Sequence, residues 1–464
     1  MSHPTRLQRA FARARIDLNY EDGIYTVRND AAEATILLPA SLPLEEKAVR
    51  QLLDFASVKT PQGDAAVCAA CATPDFHPGA IAPVGAVVAT PADVVIPAAI
   101  GTDINCGMRL LTTGMSLGQL APRRSQLIAR LKAVLLENER NVPTHTEAFK
   151  ALFDVGPHAF IDRLRPEGLW VDVDRARLAE EVSRCVGLDS LTAHSRHAPE
   201  AFVGGREIFR DPCLGTPGAG NHFVELQVVD QVLDRHVAYA CGLRTGDVVV
   251  MIHSGSRDVG FHVGGRWMDR AREAWPPGVR HPESRLYALA GPLAVEYLQA
   301  MGVAARYAWA NRVVLAEMVR RELATLFGAD GSRLVVDVPH NVVLAEQGLN
   351  IHRKGSTPAR SGDLALIPGS MGDSSYVARG LGHPDWLWSC SHGAGRRIRR
   401  QEIRAHKAAP LQGVEWQCVT LREERLIEEA PQAYKPIGPI IDAQLDAGLI
   451  EGVARLRPWV TFKA

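Results

Sequence analysis

The chain has 464 residues, and its 52 lysines and arginines balance its 52 aspartates and glutamates, so the formal net charge is zero. A zero net charge excludes a global field that would attract a polyanion, and any affinity for nucleic acid must come from a local basic patch. Eight cysteines are too few for a disulfide framework. Because no stretch has the length of a membrane span and the N-terminus lacks the apolar core of a secretory signal, we expect a cytoplasmic protein without membrane contact.

The N-terminal part of the sequence predicts short helices and strands. Residues 5–15 are rich in arginine and free of acidic residues, which favours a short surface helix over a transit peptide. The run Cys68-Ala69-Ala70-Cys71 has redox or zinc spacing, but the sequence has no second pair to complete a zinc site, and we interpret it as small, buried filler. Strand-like runs follow at residues 81–89, 222–229 and 247–253.

Two longer segments have helical periodicity. Within residues 120–200, leucines recur at helical spacing from Leu127 to Leu135 and no motif residue intervenes, which predicts a peripheral helical elaboration. Residues 282–327 predict a helical hairpin with Gly302 near its turn. Together with the short strands, these helices predict an α+β fold.

Length alone suggests roughly three domains of about 150 residues each. The residues with the clearest chemical potential are nevertheless drawn from Asp103 through His392, with a further one at Lys463. A single site built from the whole chain predicts one integrated catalytic domain over residues 1–464.

The most distinctive residue is His392, within the run Ser-His-Gly-Ala-Gly-Arg at residues 391–396. Its small neighbours leave the imidazole approachable by a bulky anion. An imidazole can attack phosphorus, and the backbone N–H groups of a glycine run can close around phosphate oxygens. The run therefore indicates a nucleophile, although an isolated match would more often be a core histidine in a tight turn.

Four further motifs place metal-competent side chains among glycine, proline or asparagine residues: Asp103 with Cys106, His222, His253 and His340. One carboxylate, one thiolate and three imidazoles suit two divalent cations that share the thiolate, with an incomplete shell left for phosphate oxygens and water. Asp103 and Cys106 are three residues apart, so a single turn can direct both side chains to one point. The apolar runs before His253 and His340 predict strands that end at these residues.

Taken in order, these motifs resemble the RtcB family of RNA ligases, from about residue 74 to residue 463. Other matching segments are Tyr307-Ala308-Trp309-Ala310-Asn311-Arg312, Arg353-Lys354-Gly355, Ile367-Pro368-Gly369-Ser370-Met371-Gly372, Glu429-Ala430-Pro431-Gln432-Ala433-Tyr434-Lys435 and Lys463. The resemblance implies the family's β-sandwich-like core flanked by helices.

The resemblance also implies an activity. It is the joining of an RNA 3′-phosphate or 2′,3′-cyclic phosphate to a 5′-hydroxyl with GTP and Mn²⁺, in RNA repair or tRNA splicing. His392 matches the histidine that becomes guanylylated. The positions that match metal ligands are Asp103, Cys106 and His222 for one ion, and Cys106, His253 and His340 for the other.

Further positions match residues that hold the guanine nucleotide: Asn221, Glu225, His340, Asn341, Pro368, Gly369, Ser370, Met371, Ser375, His392, Gly393, Ala394, Gly395, Tyr434 and Lys463. A carboxylate such as Glu225 can accept hydrogen bonds from the N1–H and the exocyclic amine of guanine, whereas adenine offers an acceptor at N1, so the match favours GTP. Lys354 and Arg396 lie in motifs where a positively charged side chain can assist the reaction at the phosphate.

Three points stay open. Carboxylate, imidazole and water suit Mn²⁺, but the single thiolate keeps Zn²⁺ a competitor. His77 lies in a family-like motif. It could position RNA or a metal ligand, or it could be a structural histidine. A basic run provides a candidate RNA contact that also fits a solvated helix face: Arg396, Arg397, Arg399, Arg400, Arg404 and Lys407.

Two departures from the family pattern concern substrate choice and the need for an archease-type activator. Residues 397–400 read Arg-Ile-Arg-Arg where x-Met-Ser-Arg is usual, and Arg306 stands where the family often has Asn.

The runner-up function is a binuclear metal-dependent phosphoesterase, which needs the same five ligands but no guanine pocket or nucleophilic histidine. A third is a non-catalytic RNA-binding relative that keeps the motifs for stability.

Overall fold

The computed structural model describes residues 5–205, 208–328, 330–398, 400–403 and 416–464. Helices and strands alternate along the described chain, which confirms the predicted α+β fold. The helices are α1 (Arg6–Arg13), α2 (Glu46–Ala56), α3 (Leu117–Leu120), α4 (Arg124–Leu135), α5 (Thr146–Asp154), α6 (Pro157–Asp162), α7 (Arg175–Val182), α8 (Arg235–Ala240), α9 (Arg257–Glu273), α10 (Pro292–Phe327), α11 (Arg400–Ile403), α12 (Glu424–Glu428) and α13 (Ile437–Asp446).

The strands include the three predicted from apolar runs, which form β5, β10 and β11. In chain order they are β1 (Asp17–Glu21), β2 (Ile24–Arg28), β3 (Glu33–Leu37), β4 (Ala69–His77), β5 (Val84–Pro91), β6 (Val94–Val95), β7 (Gly107–Ser116), β8 (Thr144–His145), β9 (Ile208–Phe209), β10 (Phe223–Val232), β11 (Asp247–Ser254), β12 (Leu289–Ala290), β13 (Arg333–Pro339), β14 (Asn341–Glu346), β15 (Leu349–Lys354), β16 (Ser356–Pro358), β17 (Leu364–Ile367), β18 (Ser375–Gly380), β19 (Ser389–Ser391), β20 (Gln417–Thr420) and β21 (Ile450–Lys463).

Two large sheets form the core. The first has the order β1-β2-β3-β4-β5-β15-β14, antiparallel except for the pair β3–β4. The second has the order β13-β7-β11-β10-β21-β18-β17, and β20 joins it by pairing in parallel with β21. Its edge strands β13 and β17 lie beside each other, so the second sheet is nearly closed.

Local sequence explains the first helix. Thr5 caps α1 and exchanges hydrogen bonds with Gln8, the capping-box arrangement that satisfies free N–H groups at a helix start. The predicted short N-terminal helix is confirmed. Among the described residues, no helix combines the length and the apolar character that crossing a bilayer requires.

The helices between residues 120 and 200 pack against α10. Their buried side chains, among them Leu127 and Phe149, share one apolar cluster with α10 and with strands of the second sheet. The helical character predicted for this segment is confirmed, while the division into a catalytic domain and a peripheral elaboration stays a prediction.

The predicted hairpin over residues 282–327 is wrong, because α10 is one uninterrupted helix. Gly302 makes no turn there. A Cβ at this position would lie 1.9 Å from the carbonyl oxygen of Thr192. The missing side chain thus permits a neighbouring segment to approach the helix, a tertiary reason that the sequence pattern does not reveal.

Antiparallel pairing brings the predicted ligands to one edge of the second sheet. There β7 and β10 begin where β11, β13 and β21 end. The side chains at or beside these five strand ends are Cys106 before β7, His222 before β10, His253 in β11, His340 after β13 and Lys463 in β21.

The first sheet contributes a facing edge. At this edge lie His77 at the end of β4, Val84 at the start of β5, Lys354 at the end of β15 and Asn341 at the start of β14. The chain crosses from the second sheet to the first at His340, between β13 and β14. The junction of the two sheets therefore gathers polar residues from distant parts of the sequence.

Candidate active site

Three imidazoles, one thiol and one carboxylate converge at the junction. The Sγ atom of Cys106 lies 3.1 Å from Nε2 of His222 and 3.3 Å from Nε2 of His253. The same His222 nitrogen lies 3.0 Å from Oδ2 of Asp103, and the His253 nitrogen lies 3.2 Å from Nε2 of His340. Two groups with the geometry of a metal site share Cys106: the first ligand group, Asp103–Cys106–His222, and the second ligand group, Cys106–His253–His340.

A tight turn carries Asp103 and Cys106, as their spacing predicted. The Cys106 N–H donates to the Asp103 carbonyl at 3.2 Å. Asn105 between them has a φ of 54°, a left-handed conformation that asparagine tolerates better than most residues. Its side-chain amide donates to the Ala305 carbonyl of α10 at 2.9 Å, which fixes the turn to the helix.

Burial sets the protonation of this cluster. It lowers the pKa of His253 and of His340 well below the ordinary value, so both imidazoles are neutral. Burial raises the pKa of the Cys106 thiol, and the Asp103 carboxylate raises it further. Burial alone would raise the pKa of Asp103, but the neighbouring His222 holds it below its usual range. Neutral imidazoles, a carboxylate and a thiol whose ionisation a cation would favour fit a divalent metal ion.

His392 lies beside the two ligand groups. Its ring centroid is 4.6 Å from that of His340. Its Nδ1 donates to Oδ2 of the buried Asp75 at 2.5 Å. Burial would raise the pKa of Asp75, but His392 and the hydroxyl of Thr73 hold it below its ordinary value. Because an ionised carboxylate can only accept, Nδ1 is the donor of this hydrogen bond, and an imidazole that carries its single hydrogen on Nδ1 presents its lone pair on Nε2.

The backbone around Asp75 is held from two sides. The buried Lys435 donates from Nζ to the carbonyls of Pro74 at 3.2 Å and Phe76 at 2.5 Å. Burial lowers the pKa of Lys435 to about 8. On the other side, a Cβ at Gly395 would lie 2.2 Å from the Asp75 carbonyl oxygen, and its φ is 72°. Glycine is required for this contact between residues 391–396 and strand β4, which carries Asp75.

Four of the five ligand residues line one cleft together with His392, whereas His222 does not line it. Its walls include most of the predicted nucleotide residues: Asn221, Glu225, His340, Asn341, Pro368, Gly369, Ser370, Met371, His392, Gly393, Ala394, Gly395, Tyr434 and Lys463. Asp103, Cys106 and His253 also line it. The cleft therefore combines a metal-type donor set, an oriented imidazole and space for a ligand.

Comparison with known proteins assigns the chain to a family. Residues 51–464 match the family model described as tRNA-splicing ligase RtcB. The chain belongs to the RtcB family. The resemblance found in the sequence motifs is thereby confirmed.

Curated members of the RtcB family align over most of the chain. The tRNA-splicing ligase RtcB of Aeropyrum pernix is 32% identical, over 83% of this chain and 86% of that protein. The tRNA-splicing ligase RtcB of Pyrobaculum aerophilum is 34% identical, over 83% and 85%. The RNA-splicing ligase RtcB of Mycobacterium tuberculosis is 33% identical, over 84% and 96%.

In this RtcB-family cleft, Glu225 is buried and already has two protein partners. Its Oε1 accepts from Nε2 of Gln227 at 2.6 Å, and its Oε2 accepts from the hydroxyl of Thr461. Burial raises the pKa of Glu225 to about 7. Each carboxylate oxygen can accept more than one hydrogen bond, so the group retains capacity for a ligand.

Two predicted nucleotide residues have structural partners. Ser375 does not line the cleft; its buried hydroxyl accepts from Nε2 of Gln227 at 2.9 Å, so it supports Glu225 through that amide. Asn341 lines the cleft, but its side chain donates to the Asp103 carbonyl at 3.0 Å and accepts from the Gly355 N–H at 2.9 Å.

A buried carboxylate, Glu429, organises the wall that carries Tyr434 and Lys463. Its Oε1 accepts from Arg396 and from Arg400, both at 3.1 Å. Its Oε2 accepts from the Tyr434 hydroxyl and lies 3.8 Å from Nζ of Lys463. Two cations of the predicted basic patch therefore neutralise this carboxylate.

The rest of that patch is divided. Arg397 is exposed, and the other members lie outside the described residues: Arg399, Arg404 and Lys407. Its role as an RNA contact stays a prediction.

The interpretation of the Cys68–Cys71 run as buried filler holds for Cys71 but is wrong for Cys68, which is exposed.

His77 and Lys354 line the cleft, as their motifs suggested. Nδ1 of His77 donates to the Asp75 carbonyl at 2.7 Å, which leaves Nε2 as an acceptor. Burial lowers the pKa of His77 to about 3, so the ring is neutral. Burial also lowers the pKa of Lys354, while Asp103 opposes that shift.

Sequence reasoning missed the roles of Asp75, Lys435 and Glu429, although all three lie in quoted or adjacent motifs. Asp75 carried one signal, because it is a charged residue in a strand whose neighbours are small or apolar. A buried acid in such a strand needs a partner. That partner is His392, 317 residues away in sequence, and the local sequence pattern does not reveal a contact over this distance.

Proposed function

We propose that this RtcB-family protein is a cytoplasmic RNA ligase that joins 3′-phosphate or 2′,3′-cyclic phosphate ends to 5′-hydroxyl ends, with GTP and Mn²⁺. The observation that carries the proposal is the pairing of His392 with Asp75 beside two overlapping metal-type ligand groups. The printed names of the relatives, RNA- and tRNA-splicing ligases, support an RNA substrate.

His392 acts as the nucleophile. With Nδ1 committed to Asp75, Nε2 attacks the α-phosphorus of GTP, a P–N bond forms, and pyrophosphate leaves. The RNA 3′-phosphate then takes GMP from the histidine, and the 5′-hydroxyl displaces GMP to form the phosphodiester. A cyclic phosphate is first opened by water in the same cleft.

The five ligand residues would hold the divalent ions. When bound, such ions supply Lewis-acid stabilisation of charge on phosphoryl oxygens. Lys354 and Lys463 add positive charge to the same walls. Cys106 must stay reduced to serve as a ligand, which agrees with the proposed cytoplasmic location. An archease-type activator stays a prediction.

Glu225 selects the base. Its ionised carboxylate accepts from the N1–H and the exocyclic amine of guanine, whereas adenine presents an acceptor at N1. Gln227 and Thr461 hold the carboxylate in place before the nucleotide arrives. Tyr434 and the Pro368–Met371 loop complete the proposed nucleotide site.

Incubation with GTP labelled at the α-phosphate and Mn²⁺ tests the proposal against its alternatives. An acid-labile, alkali-stable label on His392 supports the ligase. Phosphate release from phosphoesters without protein labelling supports the metal-dependent phosphoesterase. RNA binding without either reaction supports a non-catalytic relative. The position of His392 outside both ligand groups favours the ligase, because a phosphoesterase needs no such imidazole.

A further inference from the structure

Arg312 is a buried residue of α10 that lies behind the ligand groups, with only 1% of its surface exposed. Its Nε and Nη2 donate to the carboxylate of Asp337 at 3.1 and 2.7 Å. Its Nη1 donates to two backbone carbonyls, those of Asn105 at 2.8 Å and Ser254 at 3.1 Å. One guanidinium therefore contacts three separate segments of the chain.

Each of these segments carries a ligand of the second ligand group: Asn105 precedes Cys106, Ser254 follows His253, and Asp337 lies in the strand that ends before His340. The preceding residue of α10, Asn311, adds hydrogen bonds to the Ser254 hydroxyl at 2.9 Å and the Gly255 carbonyl at 3.3 Å. The three segments that carry the ligands are thus all hydrogen-bonded to one face of one helix, α10.

A guanidinium suits this position because its N–H groups point in fixed directions within a plane. Two can bind a carboxylate while a third lies between two carbonyls. A lysine ammonium would keep the positive charge, but as a compact group on a flexible stem it has no rigid fork to hold all three partners.

We propose that Arg312 is the positioning residue that fixes the spacing of the second ligand group, and thereby its affinity for a divalent cation. The inference rests on the metal site proposed above. It goes beyond that site because Arg312 itself is not a ligand and does not line the cleft.

Arg320 provides a matched control. It lies about two turns further along α10, is 2% exposed, and belongs to the same set of buried ion pairs. It donates to Glu181, Glu317 and, at 2.8 Å, the hydroxyl of Ser332. None of these partners is adjacent to a ligand, so loss of this fork tests what a buried ion-pair arginine of α10 contributes to stability.

The experiment titrates Co²⁺ into the wild-type, Arg312→Lys and Arg320→Lys proteins, and follows thiolate-to-cobalt charge-transfer absorption and the d–d bands. Urea unfolding of the metal-free proteins reports stability in parallel. We expect the affinity of one Co²⁺-binding step to fall about 10- to 100-fold in Arg312→Lys, and the affinities of both steps to stay within about twofold of wild type in Arg320→Lys. Both variants should lose stability.

Equal Co²⁺ affinities and d–d spectra in the two variants would overturn the positioning role, whatever their stabilities. If Arg312→Lys does not fold, the same comparison is made between Asp337→Asn, which removes the carboxylate that orients Arg312, and Glu317→Gln, which removes a partner of Arg320. A wild-type protein without a charge-transfer band would contradict the metal site itself, and so separates failure of that site from failure of the positioning role.

Discussion

Two polar clusters contact the Asp103–Cys106 turn, and they differ in how their groups are paired. On the α10 side, oppositely charged side chains alternate: Arg109 with Glu181 and Asp337, Arg312 with Asp337, Arg320 with Glu181 and Glu317, and Arg177 with Glu317 and Asp330. On the cleft side, imidazole nitrogens and a thiol face one another.

The difference separates groups whose charges the protein itself pairs from groups whose arrangement could hold a metal ion. A buried carboxylate between two guanidinium groups has its charge compensated by the protein itself. His253 and His340, in contrast, bring two Nε2 atoms within 3.2 Å, an arrangement that a cation stabilises better than the protein alone. The two clusters should therefore respond differently to substitution.

His392→Ala should abolish attachment of GMP while the metal content stays near that of wild type, because His392 is the proposed nucleophile and lies outside both ligand groups. Peptide mass after incubation with GTP and metal analysis of the purified protein measure the two effects. The matched control His158→Ala removes an exposed histidine and should label fully. GMP at full stoichiometry on His392→Ala would exclude the assignment.

Cys106→Ser should lose RNA joining and most of the bound metal. An alcohol is far less acidic than a thiol and bridges two cations poorly at neutral pH. Cys71→Ser changes another buried thiol and should keep its metal, while Asp103→Ala should lose one ion preferentially. Two metal ions per chain together with normal ligation in Cys106→Ser would rule out the bridging role.

Glu225→Gln should lower kcat/KM for guanylylation by about 30- to 1,000-fold, or about 2–4 kcal/mol, because the amide presents a donor against one guanine hydrogen. Use of ATP should change little or improve. Competition between labelled GTP and ATP measures the preference. An unchanged rate and an unchanged preference would show that Glu225 does not read the base.

The same carboxyl predicts a pH dependence. Burial raises the pKa of Glu225 to about 7, and only the ionised form accepts both guanine hydrogens. GTP affinity should therefore fall about tenfold as the pH falls from about 8 to about 6. Glu225→Gln should lose this component of the pH profile, and a wild-type affinity that stayed constant over this range would contradict the ionised form as the base-reading group.

Glu181→Gln should leave GMP transfer per folded molecule unchanged, because the ion pairs of Glu181 are with Arg109 and Arg320 and not with Arg312 or a ligand residue. It accepts from Arg109, Arg320 and the Leu334 N–H. Loss of its charge should reduce the free energy of unfolding by about 3–5 kcal/mol, measured by urea denaturation. Lower GMP transfer with normal stability would break the distinction between the two clusters.

Local sequence was sufficient for much of the fold. The apolar runs at residues 81–89, 222–229 and 247–253 became strands because alternation and β-branched residues specify extended backbone whatever the partner strand is. The hairpin over residues 282–327 failed for the opposite reason. Gly302 has the local character of a helix breaker, but its position is set by contact with Thr192, more than a hundred residues away in sequence.

For the site, the sequence by itself determined which side chains can bind a metal ion or attack phosphorus, because the Asp103–Cys106 spacing and the small residues around His392 are local properties. Only the tertiary structure decided the partners. Strand register places Cys106 among three histidines, Asp75 fixes the protonated nitrogen of His392, and Ser375 lies behind Gln227 and off the cleft wall. These contacts join residues far apart in the chain, and their energies depend on burial and geometry that exist only once both sheets have formed.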